Sequence, residues 1–311
     1  MKRLLAIGLS LGALAGSVPA SAQDLTDLIG LDYSSSNEDI VVTHTPDPEP
    51  DQGEVHGQIR EIAQSGNIFN EPLALFQAKL CPGVLGLPRE PAELIVGRVR
   101  YNAERLGLSL ASEEKCKPNL IIGFVGSGQS DIRKILEKKG SILVDMPLDE
   151  RRALVNDTGP VHAFAITSTR TRDGMHILGD QKYGKMPTVN IQSGNSLIML
   201  ATRIDIELSV VLMDITAIDG MTVNQLADYA TMRGFAQTKG ISGDTAYGTI
   251  LNLFDPDAAH QTELSNFDLA YLTALYSNAP NLIAASKFGT VQGEMRKQLA
   301  SAQEAEPAEQ P

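Results

Sequence analysis

Apolar positions recur along this chain at two periods, and each period marks its own kind of element. Ile204, Ile206, Leu208 and Val210 alternate strictly with Asp205, Glu207 and Ser209. A period of two belongs to a half-buried antiparallel strand, here predicted over 204–215. Thr222 and Gln225 form a Thr-x-x-Gln capping box that opens a helix. Val223, Leu226, Ala227, Ala230 and Phe235 make an apolar stripe along that helix, so it is expected to pack on the strand as core. Upstream, Ile95, Val99, Ala103 and Leu106 follow Pro91 at helical spacing, with Arg98 and Arg105 sharing a wetter flank. Asn119 to Val125 reads as a buried strand. Residues 161–167 and 175–178 flank Asp173-Gly174, the strongest hairpin signal in the chain. Strands and helices are mixed rather than strictly alternating. The fold class expected is α+β, a mixed and largely antiparallel sheet with packed helices.

The two ends lack such periodicity. Lys2 and Arg3, the apolar run Leu4 to Leu14 and the small residues Ala20-Ser21-Ala22 have the layout of a secretory signal peptide over 1–22. No Cys stands at the cleavage site, which argues against a lipid anchor. Residues 23–53 are polar and carry Ser34-Ser35-Ser36 and then Pro46, Pro48 and Pro50 between acids, the composition of a disordered leader or linker. Residues 300–311 are Ala, Glu, Gln and Pro with no core-forming pattern, an expected disordered acidic tail. Between these ends lie an N-terminal α/β part (54–157) and a C-terminal part (158–299).

Charge and cysteine content narrow the setting. The formal net charge is −12, and it becomes −14 once Lys2 and Arg3 leave with the leader. That sign disfavours nucleic acid and anionic lipid as partners. No stretch is long and apolar enough for a membrane span. Cys81 and Cys116 are the two cysteines, and in an oxidising compartment they are expected to form one disulfide. The expected localisation is therefore periplasmic or secreted, with an unknown protein or small-molecule partner in the envelope.

Other chemistry finds little support. Phe124-Val125-Gly126-Ser127-Gly128-Gln129 has the strand-to-helix context of a phosphate loop, but Asp131 stands where a third glycine belongs. A plain turn is the better reading. Asp255, Asp257 and His260 could supply ligands to a divalent ion, although a Pro256-containing turn whose acids cap a neighbouring element is the commoner explanation. His162 and His176 lie on the two hairpin strands but not opposite each other, and His44 and His56 flank the linker. No Gly-x-Ser-x-Gly occurs and neither Cys has a base beside it, so no nucleophile is assigned. The Cys81 to Pro88 segment carries no assignable function.

A helix ending Met232-Arg233-Gly234-Phe235 is followed by a loop, a Phe267-Asp268-x-Ala270-x-Leu272-x-x-Leu275-Tyr276 helix and Met295. This order resembles an exported bacterial family of unknown function related to zincin-like peptidases, and the likeness covers residues 204–295. A zincin would place His-Glu-x-x-His on the first of these helices. Here Ala227, Asp228 and Thr231 stand in its place. The resemblance implies a zincin-like C-terminal part with a degenerate active-site helix, no catalytic residue, no metal ligand and no cofactor. It leaves Asp228, Tyr229, Arg233 and Asp268 as candidates to line a cleft. The expected role is a non-catalytic binding or scaffolding factor in the cell envelope. The alternative is an envelope hydrolase using Asp228 and Glu263, or a metal at Asp255, Asp257 and His260.

Overall fold

The computed structural model describes residues 49–63, 71–126, 148–177 and 198–305, with positions 133, 134, 137, 138, 143, 146 and 196 between them. The expected leader peptide, the linker up to residue 48 with His44, the turn beyond Gly126, Leu178 and residues 306–311 lie outside the described residues. The helices are α1 (Gln52–Ile62), α2 (Arg89–Arg105), α3 (Leu148–Asn156), α4 (Val223–Ala236), α5 (Asn266–Tyr276) and α6 (Ala284–Ala305). The last of these continues past residue 300, where composition alone suggested that order ends. One five-stranded sheet is built from β1 (Ala74–Leu75), β2 (Pro82–Leu85), β3 (Leu120–Val125), β4 (Val161–Thr171) and β5 (Thr202–Asp214).

The expected largely antiparallel sheet is overturned. β5 pairs in parallel with β1 and then with β3, β3 pairs in parallel with β2, and only β4 runs antiparallel to β5. β2, α2 and β3 form a βαβ unit, the connection that adjacent parallel strands require. The class is α/β. The unassigned Cys81 to Pro88 segment supplies β2 at the sheet edge, where Pro82 can open a strand without a ladder N–H.

β5 is not a half-buried strand either. From Ser209 to Asp214 every residue is buried, as in a central strand covered on both faces. Its alternation also breaks: the pairing with β4 slips between Ile166 and Thr167, so Glu207 is the extra residue of a bulge. Ile206 consequently packs in the main core, whereas Leu208, Val210 and Leu212 pack with Phe164, Leu154 and Val155 in a second cluster beside α3.

α4 covers the main-core face. Gly234 permits its close approach, because a Cβ there would meet the Leu120 Cδ1 at 2.7 Å and the Val211 Cγ2 at 3.7 Å. The predicted capping box is present, with Thr222 accepting from the Gln225 N–H and Gln225 accepting from the Thr222 N–H. The Asp173-Gly174 turn also forms: the Thr171 N–H donates to Met175, and His176 returns opposite Arg170. The Cys81–Cys116 disulfide joins the residues just before β2 and β3, beside the first pair of that ladder, Pro82 and Leu120. Among the described residues no helix is long and apolar enough to cross a membrane.

Candidate functional site

α4 carries three of the four predicted cleft residues, of which Asp228 has its own partners while Tyr229 and Arg233 bond to each other. Asp228 has no solvent exposure and accepts four hydrogen bonds. Arg98 Nε and Nη2 reach its two oxygens at 2.9 and 2.7 Å, Asn102 Nδ2 donates at 2.7 Å and the Leu264 N–H at 2.9 Å. This is a bidentate, charge-assisted pair between α2 and α4. It holds the Arg98 guanidinium protonated far above its ordinary range. Arg98 Nη2 also reaches the exposed Glu263 at 2.9 Å. Thr231 accepts from Asn102 and donates to the Ala227 carbonyl.

Asp268 is equally internal. It closes the capping box of α5 with Ser265 and accepts from the Thr249 hydroxyl at 2.6 Å and the Ile250 N–H at 2.8 Å. Complete burial pushes its carboxyl up to about 6 against the pull of those donors. Tyr229 and Arg233 do come together, one helical turn apart, with Arg233 Nη1 donating to the Tyr229 hydroxyl at 2.8 Å. Tyr229 packs edge-on to Phe254, 4.9 Å between ring centroids.

The remaining sequence candidates are structural. Asp255 accepts from the Gly243 and Asp257 N–H groups, and His260 bonds to the backbone carbonyl of Asp255 rather than to its carboxylate. Asp255, Asp257 and His260 are thus joined as a turn. Among the described residues no group of three or more His, Cys, Asp or Glu side chains is placed to hold a metal ion. His162 is buried on β4 with its Nε2 near the Asp157 carbonyl, and His176 lies against Arg170 at the hairpin end.

The structure adds residues that the pattern left unassigned. Arg98 and Arg105, already placed on one flank of α2, both lie over the Tyr101 ring, at 5.6 and 5.5 Å from its centroid. Arg98 turns inward to Asp228. Arg105 turns to a groove of about 390 Å³ between α2, α5 and α6, with Leu106, Asn266, Leu269, Thr273, Gln298 and Ser301 as the other lining residues. Arg105 is its single charged side chain and forms no salt bridge among the described residues. The seven-residue spacing of the two arginines was the signal for this site, but which one faced the groove required the fold.

A second polar cluster closes the outer end of the β4–β5 ribbon. Arg203 grips Asp205 through two bonds at 2.8 and 3.1 Å, while Arg170 pairs with Asp205 and Glu207. Ser168 donates to Glu207. Lys287 is fully buried without a carboxylate partner among the described residues, donating to the carbonyls of Leu275 and Asn278 at the end of α5. Desolvation lowers its ammonium to about 8.

No family model, no curated protein and no solved structure matches this chain. The resemblance drawn over residues 204–295 therefore rests on those residues alone.

Proposed function

We propose that the chain is an exported, non-catalytic binding factor of the cell envelope, processed after Ala22, and that its ligand occupies the groove between α2, α5 and α6. The carrying observation is the makeup of that groove: one guanidinium without a carboxylate partner among the described residues, four neutral hydrogen-bonding side chains and two leucines. Such a lining orients a small polar ligand by hydrogen bonds and one charge. It brings together no pair of acids and no base beside a nucleophile. The acids that the hydrolase reading enlists are engaged elsewhere: Asp228 is held by four donors and Glu263 pairs with Arg98. Export agrees with the disulfide and with the lack of a membrane-spanning helix among the described residues.

Native mass spectrometry of the chain, expressed with its own leader and recovered from the envelope fraction, tests this. The expected result is a polypeptide starting at Gln23 with a small-molecule adduct that is lost in Thr273→Trp, which fills the groove. An adduct kept by a folded Thr273→Trp would move the ligand elsewhere. Hydrolysis of peptide or ester substrates, abolished by Asp228→Asn in a protein that still folds, would replace the binding reading with the hydrolase one.

A further inference from the structure

Among the described residues, the buried or partly buried cations beside α4 and α5 have their charge or their donors answered with one exception. Arg98 has Asp228 and Glu263, and Lys287 has two carbonyls. Arg233 is the exception. Its side chain lies in the last turn of α4 at 7 % exposure, with its guanidinium carbon 5.7 Å from the Tyr229 ring centroid, and its one hydrogen bond among the described residues is Nη1 to the Tyr229 hydroxyl. Nε is fully buried without an acceptor, and Nη2 has none among the described residues. Burying a guanidinium N–H without an acceptor is costly, and such an unsatisfied donor calls for a physical explanation.

Gly240 supplies a second, independent observation. It is exposed, and a Cβ at this position would stand 3.0 Å from the Tyr229 hydroxyl, 3.3 Å from Arg233 Nη1 and 3.7 Å from the Leu251 carbonyl. Its φ is not in the left-handed region that favours glycine. Space over the Arg–Tyr pair, rather than backbone conformation, is what a side chain at 240 would violate. Tyr229 accepts from Arg233, which leaves its own hydroxyl proton to donate. The guanidinium end and that hydroxyl thus give donors at one point, beneath a residue with no side chain.

We infer that Arg233, Tyr229 and Gly240 form a binding site for a compact oxyanion, a carboxylate, phosphate or sulfate group. The anion meets the Nη end of Arg233 and the Tyr229 hydroxyl, and supplies the countercharge that no described side chain gives. Arg is suited to this because its planar fork matches two oxygens of such a group. The site is separate from the groove on α2, α5 and α6, so the two readings stand or fall on different residues.

The test uses the ¹⁵N-labelled mature chain and the arginine Nε–H resonances, titrated with sodium phosphate, sulfate and acetate against sodium chloride at equal ionic strength. The Arg233 Nε–H, assigned by its loss in Arg233→Lys, is expected to shift saturably with at least one oxyanion and not with chloride. The Arg98 Nε–H, locked to Asp228, is expected to stay in place. Gly240→Ala should weaken the apparent affinity at least tenfold, and Tyr229→Phe several-fold. The three anions separate a carboxylate preference from a tetrahedral one. No saturable shift with any of them, equal shifts at Arg98 and Arg233, or unchanged affinity in a folded Gly240→Ala would each overturn the site. Should Arg233→Lys fail to fold, assignment through Tyr229→Phe and the Gly240→Ala titration still decide the outcome.

Discussion

Arg98→Ala probes the polar centre of the fold most directly. Asp228 has no solvent exposure, and two of its four hydrogen bonds come from Arg98, at 2.9 and 2.7 Å. Truncation removes both and leaves the carboxylate with the Asn102 amide and the Leu264 N–H. Removing one partner of a buried ion pair typically costs about 3–5 kcal/mol, because the charge left behind is neither solvated nor paired. The aliphatic stem of Arg98 is lost as well, which adds to the cost. For a chain of this size about 2–4 °C of melting temperature accompanies each kcal/mol, so the midpoint should fall by roughly 6–20 °C.

Urea unfolding followed by circular dichroism measures this, with Asp228→Asn and the double variant Arg98→Ala/Asp228→Asn alongside. The chain has no Trp, so secondary structure is the more reliable probe. An amide at 228 carries no charge to strand, and the double variant should therefore recover about 1–2 kcal/mol relative to Arg98→Ala. The reasoning fails if Arg98→Ala costs less than about 1 kcal/mol, or if the double variant is destabilised by the sum of the two single effects.

Three further outcomes are expected. Reducing Cys81–Cys116 frees a loop with a sequence separation of 35 and should lower stability by roughly 3–4 kcal/mol, read as a shift of the urea midpoint with dithiothreitol; an unchanged midpoint would refute the cross-link's role. Gly234→Ala should cost about 1–3 kcal/mol despite its better helix propensity, since α4 must back away from Leu120, and a variant melting above the parent would show slack at that contact. Asp268, raised to about 6 in the folded chain, binds its proton more tightly there than when unfolded. Its contribution is fully present below pH 4 and lost as pH rises through 6, so the parent should lose about 2 kcal/mol relative to Asp268→Asn between pH 4.5 and 7.5. An unchanged gap would place that titration elsewhere.

The elements themselves were legible where local chemistry decides them. The capping box of α4, the Asp173-Gly174 turn, the apolar spacing of α2 and the cysteine pair all follow from residues a few positions apart or from the redox logic of two thiols. Strand direction was not legible, because it depends on which strands meet. The alternation from Ile204 to Val210 mimics an antiparallel edge, yet the run Val210-Val211-Leu212-Met213 is continuously apolar, the mark of a strand buried on both faces. β2 escaped notice because four residues opening with Pro82-Gly83 have weak strand propensity, and tertiary pairing with β3 overrides it.

The same distinction separates the two halves of the candidate site. A charged residue inside the apolar run of α4 was visible as Asp228, and its setting between Ala227 and Tyr229 suited either a cleft or a core. What resolves it is Arg98, 130 positions away, and no short-range pattern encodes that pairing. The pair has a consequence beyond stability. It fixes one face of α2 against α4, and Arg105 lies two turns further along α2, about 10 Å by helical rise. Asp228 thus ties α4 to the helix that carries Arg105.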